Sequence, residues 1–270
     1  MKHLTKVAVG AALALAATGA FAQISLPTTG NGTVMLGLFS ENDGTPFSYA
    51  FNLGINYSNL ASLPTAPGSS TSWSLTGLSG DLSSTAGVAA LAGGLVFDVT
   101  SANITGSIAK AGSFTLAATF DPSVSLATIS ALQSGALSTA TNNDNTFLTN
   151  FGSTNPSYTT GTTDANYLNG TYNAQLNTFA TGTNVASSTS NSLKMYELVS
   201  NKSTTSLIQT PVVLPGLFSI NLTSDTLTYT VPGTVPLPAG VWLLLSGLAS
   251  LGVLARRRKD EPGEVSGLAA

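Results

Sequence analysis

The stretch "FSYAFNLGINYS", residues 47–58, decides the fold. Phe47, Tyr49, Phe51, Leu53, Ile55 and Tyr57 alternate without a slip with Ser48, Ala50, Asn52, Gly54, Asn56 and Ser58. A period of two puts all six large apolar side chains on one face of a strand, whereas a helix would scatter them around its circumference. Immediately upstream, "TVMLGLF" (33–39) reads as a second strand, and "ENDGTP", Glu41 to Pro46, supplies the turn residues that join the two into a hairpin.

The same pattern recurs along the chain. "SWSLTGL" around Trp73, "GLVFDVT" with Leu95, Phe97 and Val99 alternating, and "SFTLAATF" with Phe114, Leu116, Ala118 and Phe120 are further strands. A last hairpin runs Phe218, Ile220, Leu222, turns at Ser224-Asp225 and returns through Leu227, Tyr229 and Val231. Short apolar segments split by Gly, Ser and Asn turns predict a mainly β body, an antiparallel sandwich. One short helix is expected in "DPSVSLATISALQSG" (121–135), with Asp121 as cap, Pro122 at the first helical position and Leu126, Ile129 and Leu132 at helical spacing. From Ser134 to Ser192 the chain is rich in Gly, Asn and Thr, which predicts a long surface excursion or edge strands with long loops.

Composition excludes several chemistries. Between Gln23 and Val235 there are nine acidic residues against Lys110, Lys194 and Lys202, with no Arg, so phosphate backbones find no basic footprint and no nucleic-acid partner is expected. The chain has no Cys and a single His, His3. A Ser-His-Asp or Cys-His site is therefore excluded from the body, leaving only a Ser-Lys arrangement formally open. Zinc finds no imidazole or thiolate ligands there. No cofactor is expected, and the chain reads as no enzyme.

Three alternatives stay open. Glu41 and Asp43 form the closest carboxylate pair, the arrangement a polysaccharide-acting hydrolase needs, but they lie in a turn where acids are common for conformational reasons. Calcium accepts carboxylate, amide and carbonyl oxygens, and the loops "ENDG" (Glu41, Asp43) and "TNNDN" (Asn142 to Asn145, with Asp144) are weak candidates for it. Sugar stacking needs exposed aromatic faces, for which Tyr158, Tyr167 and Tyr172 in the polar excursion are the candidates of a lectin-like, carbohydrate-binding module.

Both ends carry addressing signals. "MKHLTKVAVGAALALAATGAFAQ" has a cationic start at Lys2 and Lys6, an apolar run from Val7 to Ala17 and small residues at Ala20 and Ala22, which predicts a signal peptide over 1–22 cleaved before Gln23. The alternative, a first transmembrane helix, needs about 20 apolar residues and this run is shorter. At the other end, Ala239 to Ala255 is uncharged and, at about 25 Å as a helix, spans a bilayer core if Trp242 and the arginines anchor its ends. Pro236 and Pro238 fix its start, and Arg256, Arg257, Arg258 and Lys259 hold the far end in the cytoplasm.

In "VPLPAGVWLLLSGLASLGVLARRRK" the Pro-x-Pro, the Trp soon afterwards, the small-residue helix and the Arg run occur in register. The segment 234–259 resembles the PEP-CTERM sorting domain of Gram-negative bacteria, in its VPLPA variant. The resemblance implies recognition of Val235, Pro236, Leu237, Pro238, Ala239 and Trp242 by an exosortase, a membrane peptidase that removes the tail. Arg256 to Lys259 would be the cytoplasmic retention element, followed by a short tail, 260–270. Leu237 stands where the commoner motif has Glu, which implies a matching exosortase subtype. A plain single-pass anchor is the alternative. The implied organisation is an exported body (23–233), anchored transiently in the inner membrane as a precursor. It would then be released to the cell surface or extracellular matrix, with a structural or adhesive role among exopolysaccharide and biofilm components.

Overall fold

The computed structural model describes residues 24–40, 46–121, 123–151, 156–160, 187–189 and 191–233. The chain divides at Pro232 and Gly233 into two units, and the description below concerns the first. The signal sequence with Ala20, Ala22 and Gln23, the turn residues Glu41 and Asp43, Tyr167 and Tyr172, and the whole tail from 234 onward lie outside the described residues.

The described residues form ten strands: β1 (Thr33–Ser40), β2 (Ser48–Asn56), β3 (Ser70–Ser74), β4 (Leu95–Ile104), β5 (Phe114–Phe120), β6 (Ser157–Thr159), β7 (Ser187–Ser188), β8 (Leu193–Val199), β9 (Val212–Asn221) and β10 (Thr226–Thr230). All pairings are antiparallel, in the order β3-β10-β9-β8-β5-β4-β1-β2-β6, with β7 attached to β4 beside Val96 and Phe97. Both expected hairpins form. β1 meets β2 with Phe39 opposite Ser48, and β9 meets β10 around Asp225, whose φ of 49° places it in the left-handed region such a turn requires.

Residues 47–57 behave as their alternation predicts. Phe47, Tyr49 and Leu53 are buried in one apolar cluster, and Phe51, Ile55 and Tyr57 pack against it. Phase is kept across a bulge, where Gly54 takes φ 72° and donates its N–H to Asn52 Oδ1 at 2.8 Å.

The expected pair of packed sheets is instead one unbroken ladder that curls on itself. Alternation says which face of a strand is buried but not whether the ladder is interrupted, so the two designs look alike in sequence. The curl can be measured. β2 and β8 are four ladder steps apart, which in a flat sheet is roughly 19 Å. Yet the Tyr57 hydroxyl, one residue past β2, donates to Glu197 Oε1 of β8 at 2.6 Å. Inside the curl, Phe47 and Tyr49 from one end of the sheet share a core with Trp73, Phe218 and Tyr229 from the other.

Two helices close this inner core, α1 (Leu78–Leu82) and α2 (Thr85–Gly93), through Leu78, Leu82 and Ala90. Ser84 caps α2 by accepting the Gly87 N–H at 3.1 Å, and its hydroxyl also lies 2.9 Å from the Tyr158 hydroxyl of β6. Ser84→Ala removes these contacts and the hydroxyl's 2.6 Å bond to the Asp81 carbonyl, and is expected to cost about 1–2 kcal/mol in urea denaturation. An unchanged midpoint would show that the cap contributes nothing.

The outer face of β4, β5 and β8 is covered by a helix that the polar composition hid. The segment 134–151, expected as surface loop, forms α4 (Ser134–Phe151), preceded by the short α3 (Leu126–Ser130). The expected cap is also displaced. Ser125 caps α3, while Asp121 Oδ1 accepts the N–H and hydroxyl of Ser123 in a turn before it, and Leu132 falls beyond the helix end. Along α4 the buried positions are 134, 137, 140, 141, 144, 147, 148 and 151, a helical stripe in which Ser134, Thr141 and Asp144 stand among the apolar residues. The poor helix formers on the other faces satisfy themselves locally. Thr139, Thr146 and Thr149 each donate to the carbonyl four residues back. The first amides of α4 are taken by the backbone carbonyls of Ser206 and Thr204. Among the described residues no helix is long and apolar enough to cross a membrane; the expected span 239–255 lies outside them.

Candidate functional site

A cleft opens where the curl closes, between the chain after β2 and the start of β9. Its construction begins with a turn of 3-10 helix, Tyr57–Ser62, whose entry is fixed by a capping box in which the Asn56 N–H donates to Asn59 Oδ1 at 3.0 Å. The Tyr57 N–H donates to the Gly32 carbonyl and the Ser58 N–H to Asn31 Oδ1. The phenol is thereby held over the inner face of β8.

On β8 the inward positions are Leu193, Met195 and Glu197, the first two buried in the inner core. Glu197 therefore stands where the strand's own pattern asks for an apolar side chain. It accepts the Tyr57 hydroxyl on Oε1, and burial followed by this hydrogen bond pushes the Tyr57 phenol well above its ordinary range.

The opposite wall is a bulge. β8 and β9 pair Lys194 with Leu217 and then Tyr196 with Val213, so Leu214, Pro215 and Gly216 together face Met195 alone. Pro215 has no N–H to lose there. Gly216 donates to Tyr229 Oη at 2.8 Å, and the ring lies so close that a Cβ on residue 216 would sit 2.3 Å from Tyr229 Cζ. Bulge, phenol and carboxylate enclose a cleft of about 310 Å³, walled mainly by Leu60, Leu63, Val213 and Leu214. Val212 at its rim is 55 % exposed. No cationic side chain lines it.

A second polar feature lies on the outer face. Asp98 of β4 and Asp144 of α4 are each 1 % exposed, in the layer between sheet and helix. Burial, reinforced by the charge of Asp144, pushes the Asp98 carboxyl up to about 8, against a partial opposing pull from the Gly37 and Asp98 N–H groups. Asp98 Oδ1 accepts no hydrogen bond from the described residues.

Of the residues singled out in sequence, Asp144 is not in a loop. "TNNDN" is the middle of α4, because Leu137, Ala140, Phe147 and Leu148 on the same stripe drive the helix onto the sheet, and the expected calcium loop is corrected accordingly. No group of three or more potential metal ligands occurs among the described residues. Tyr158 is half-buried, its ring 5.5 Å from that of Phe47, and it serves as a clamp between β6 and Ser84. Glu41, Asp43, Tyr167, Tyr172 and the processing residues at both termini lie outside the described residues. The sequence did carry one overlooked signal for the cleft, the carboxylate at every-second-residue spacing from Leu193 and Met195 in "LKMYELV". No family model, curated protein or solved structure matches the chain.

Proposed function

We propose that this chain is an exported, non-enzymatic surface or extracellular-matrix protein of a Gram-negative bacterium, sorted by an exosortase-type system and acting structurally or adhesively among exopolysaccharide. The observation that carries the reading is the register of Pro236, Pro238, Trp242, the apolar run 239–255 and Arg256 to Lys259 within one segment. A stop-transfer helix needs only the apolar run and the cations. The paired prolines ahead of it are a further sequence element that an anchor alone does not require. The signal sequence ending at Ala22 supports delivery across the inner membrane, and a body nearly free of cations, rich in Ser, Thr, Asn and Gly, suits hydrogen bonding to hydrated polymer.

Production of the full chain in a host with and without an exosortase of the matching subtype tests the reading. With the peptidase, the intact mass of the surface form is expected to begin at Gln23 and end near Pro238. Pro236→Ala combined with Pro238→Ala is expected to leave the tail in place. Recovery of only the tailed form, with its arginines, in cells that possess the peptidase would overturn it.

A further inference from the structure

We propose that the cleft beside Tyr57 and Glu197 binds a small monoamine, an apolar body carrying one ammonium head. The inference does not depend on the sorting reading; it stands on the geometry of the cleft alone.

Three features select this class. Glu197 is half-buried at an inward strand position at the end of an apolar row, so its carboxylate faces a mainly apolar cleft. Its donor from the cleft wall is neutral, the Tyr57 hydroxyl on Oε1, which leaves the carboxylate's charge without a counter-charge in the lining. The lining side chains contribute no cation, so a positive head supplied by the ligand completes the pair, while Leu60, Leu63 and Leu214 take its apolar body. At about 310 Å³ the space lies at the lower end of the range for ligand sites, about 300–1,000 Å³, which fits a small molecule. The bulge at Pro215 and Gly216 provides the volume, since a regular β8–β9 ladder would leave no such gap opposite Met195.

Benzylamine, benzyl alcohol and benzoate present the same body with a cationic, a neutral and an anionic head. They are titrated against the full chain in lipid nanodiscs by saturation-transfer NMR, with empty nanodiscs subtracted. Benzylamine is expected to bind saturably and at least about tenfold more tightly than the alcohol, with benzoate weakest, as a charge-assisted hydrogen bond requires. Glu197→Gln keeps an acceptor for the Tyr57 hydroxyl and is expected to reduce the amine to the level of the alcohol. Ala61→Trp, at the cleft wall, is expected to abolish binding of both. Equal affinity for amine and alcohol, unchanged amine affinity in Glu197→Gln, or no saturable amine binding would each overturn the proposal. Should Glu197→Gln fail to fold, the amine-to-alcohol ratio of the unaltered chain and the Ala61→Trp result decide it.

Discussion

Raising the pH from about 5 to about 7 is expected to weaken the fold, and Asp98→Asn to remove that dependence. The cause is a carboxyl buried to 1 % exposure and pushed up to about 8 in the folded chain. Below about pH 4 the group is neutral whether the chain is folded or not, and it gives no slope. Between about 4 and 8 the unfolded chain has released this proton and the folded chain still holds it. Unfolding then releases a proton, and stability falls as pH rises, by at most about 1.4 kcal/mol per pH unit. Above about 8 both states are ionised and the slope ends. The loss between pH 5 and pH 7 is therefore roughly 2–3 kcal/mol. Asparagine has the same shape and no proton to lose, so the variant is expected to match the parent near pH 4 and exceed it increasingly above pH 6 in urea titrations. A parent curve flat from pH 5 to pH 8 would show that the carboxyl is accommodated as an anion.

Gly216→Ala is expected to cost about 3 kcal/mol, measured by the same titration. A Cβ would stand 2.3 Å from Tyr229 Cζ and 2.6 Å and 2.7 Å from its two neighbouring ring carbons. The ring is fully buried and lies 4.9 Å, centre to centre, from Phe218, which opposes its retreat on that side. Overpacking of this kind costs about 1–3 kcal/mol, and displacement of the ring also breaks the bond from the Gly216 N–H, about another 1 kcal/mol. The double variant Gly216→Ala with Tyr229→Phe separates the two terms, because the hydroxyl is then absent and only the crowding remains. A stability loss for Gly216→Ala within the error of measurement would mean that the bulge is free to reshape.

How far the fold can be read from the residues depends on how many faces of each element are covered. β2 and the final hairpin were legible because their outward positions are polar or small, as in Ser48, Asn52, Ser219 and Thr228. The long helix was not, although its buried positions follow the helical period. Thr141 and Asp144 sit within the stripe, and the run of Ser, Thr and Asn around it carries low helix propensity. What stabilises α4 is the sheet beneath it, through Phe147, Leu148 and Phe151, and that partner lies elsewhere in the chain. β8 escaped notice for the reverse reason: Lys194 and Glu197 made "LKMYELV" look mixed, when Glu197 is the exception that builds the cleft. The cleft itself is a meeting of residues 57, 197, 215 and 229, brought together by a curl that no local pattern encodes.

The pairing of β3 with β10 has a consequence for how the molecule forms. Ser72 and Thr228, opposite each other in that ladder, are 156 positions apart along the chain. The loop that must close between them is long, and its entropy is lost before the contact returns anything. Nucleation can start in the β1–β2 hairpin, but the ladder finishes only after its last strand has emerged. A polypeptide built this way folds late and slowly, because every other rung can be in place and the sheet still lacks its edge until residues 226–230 join it.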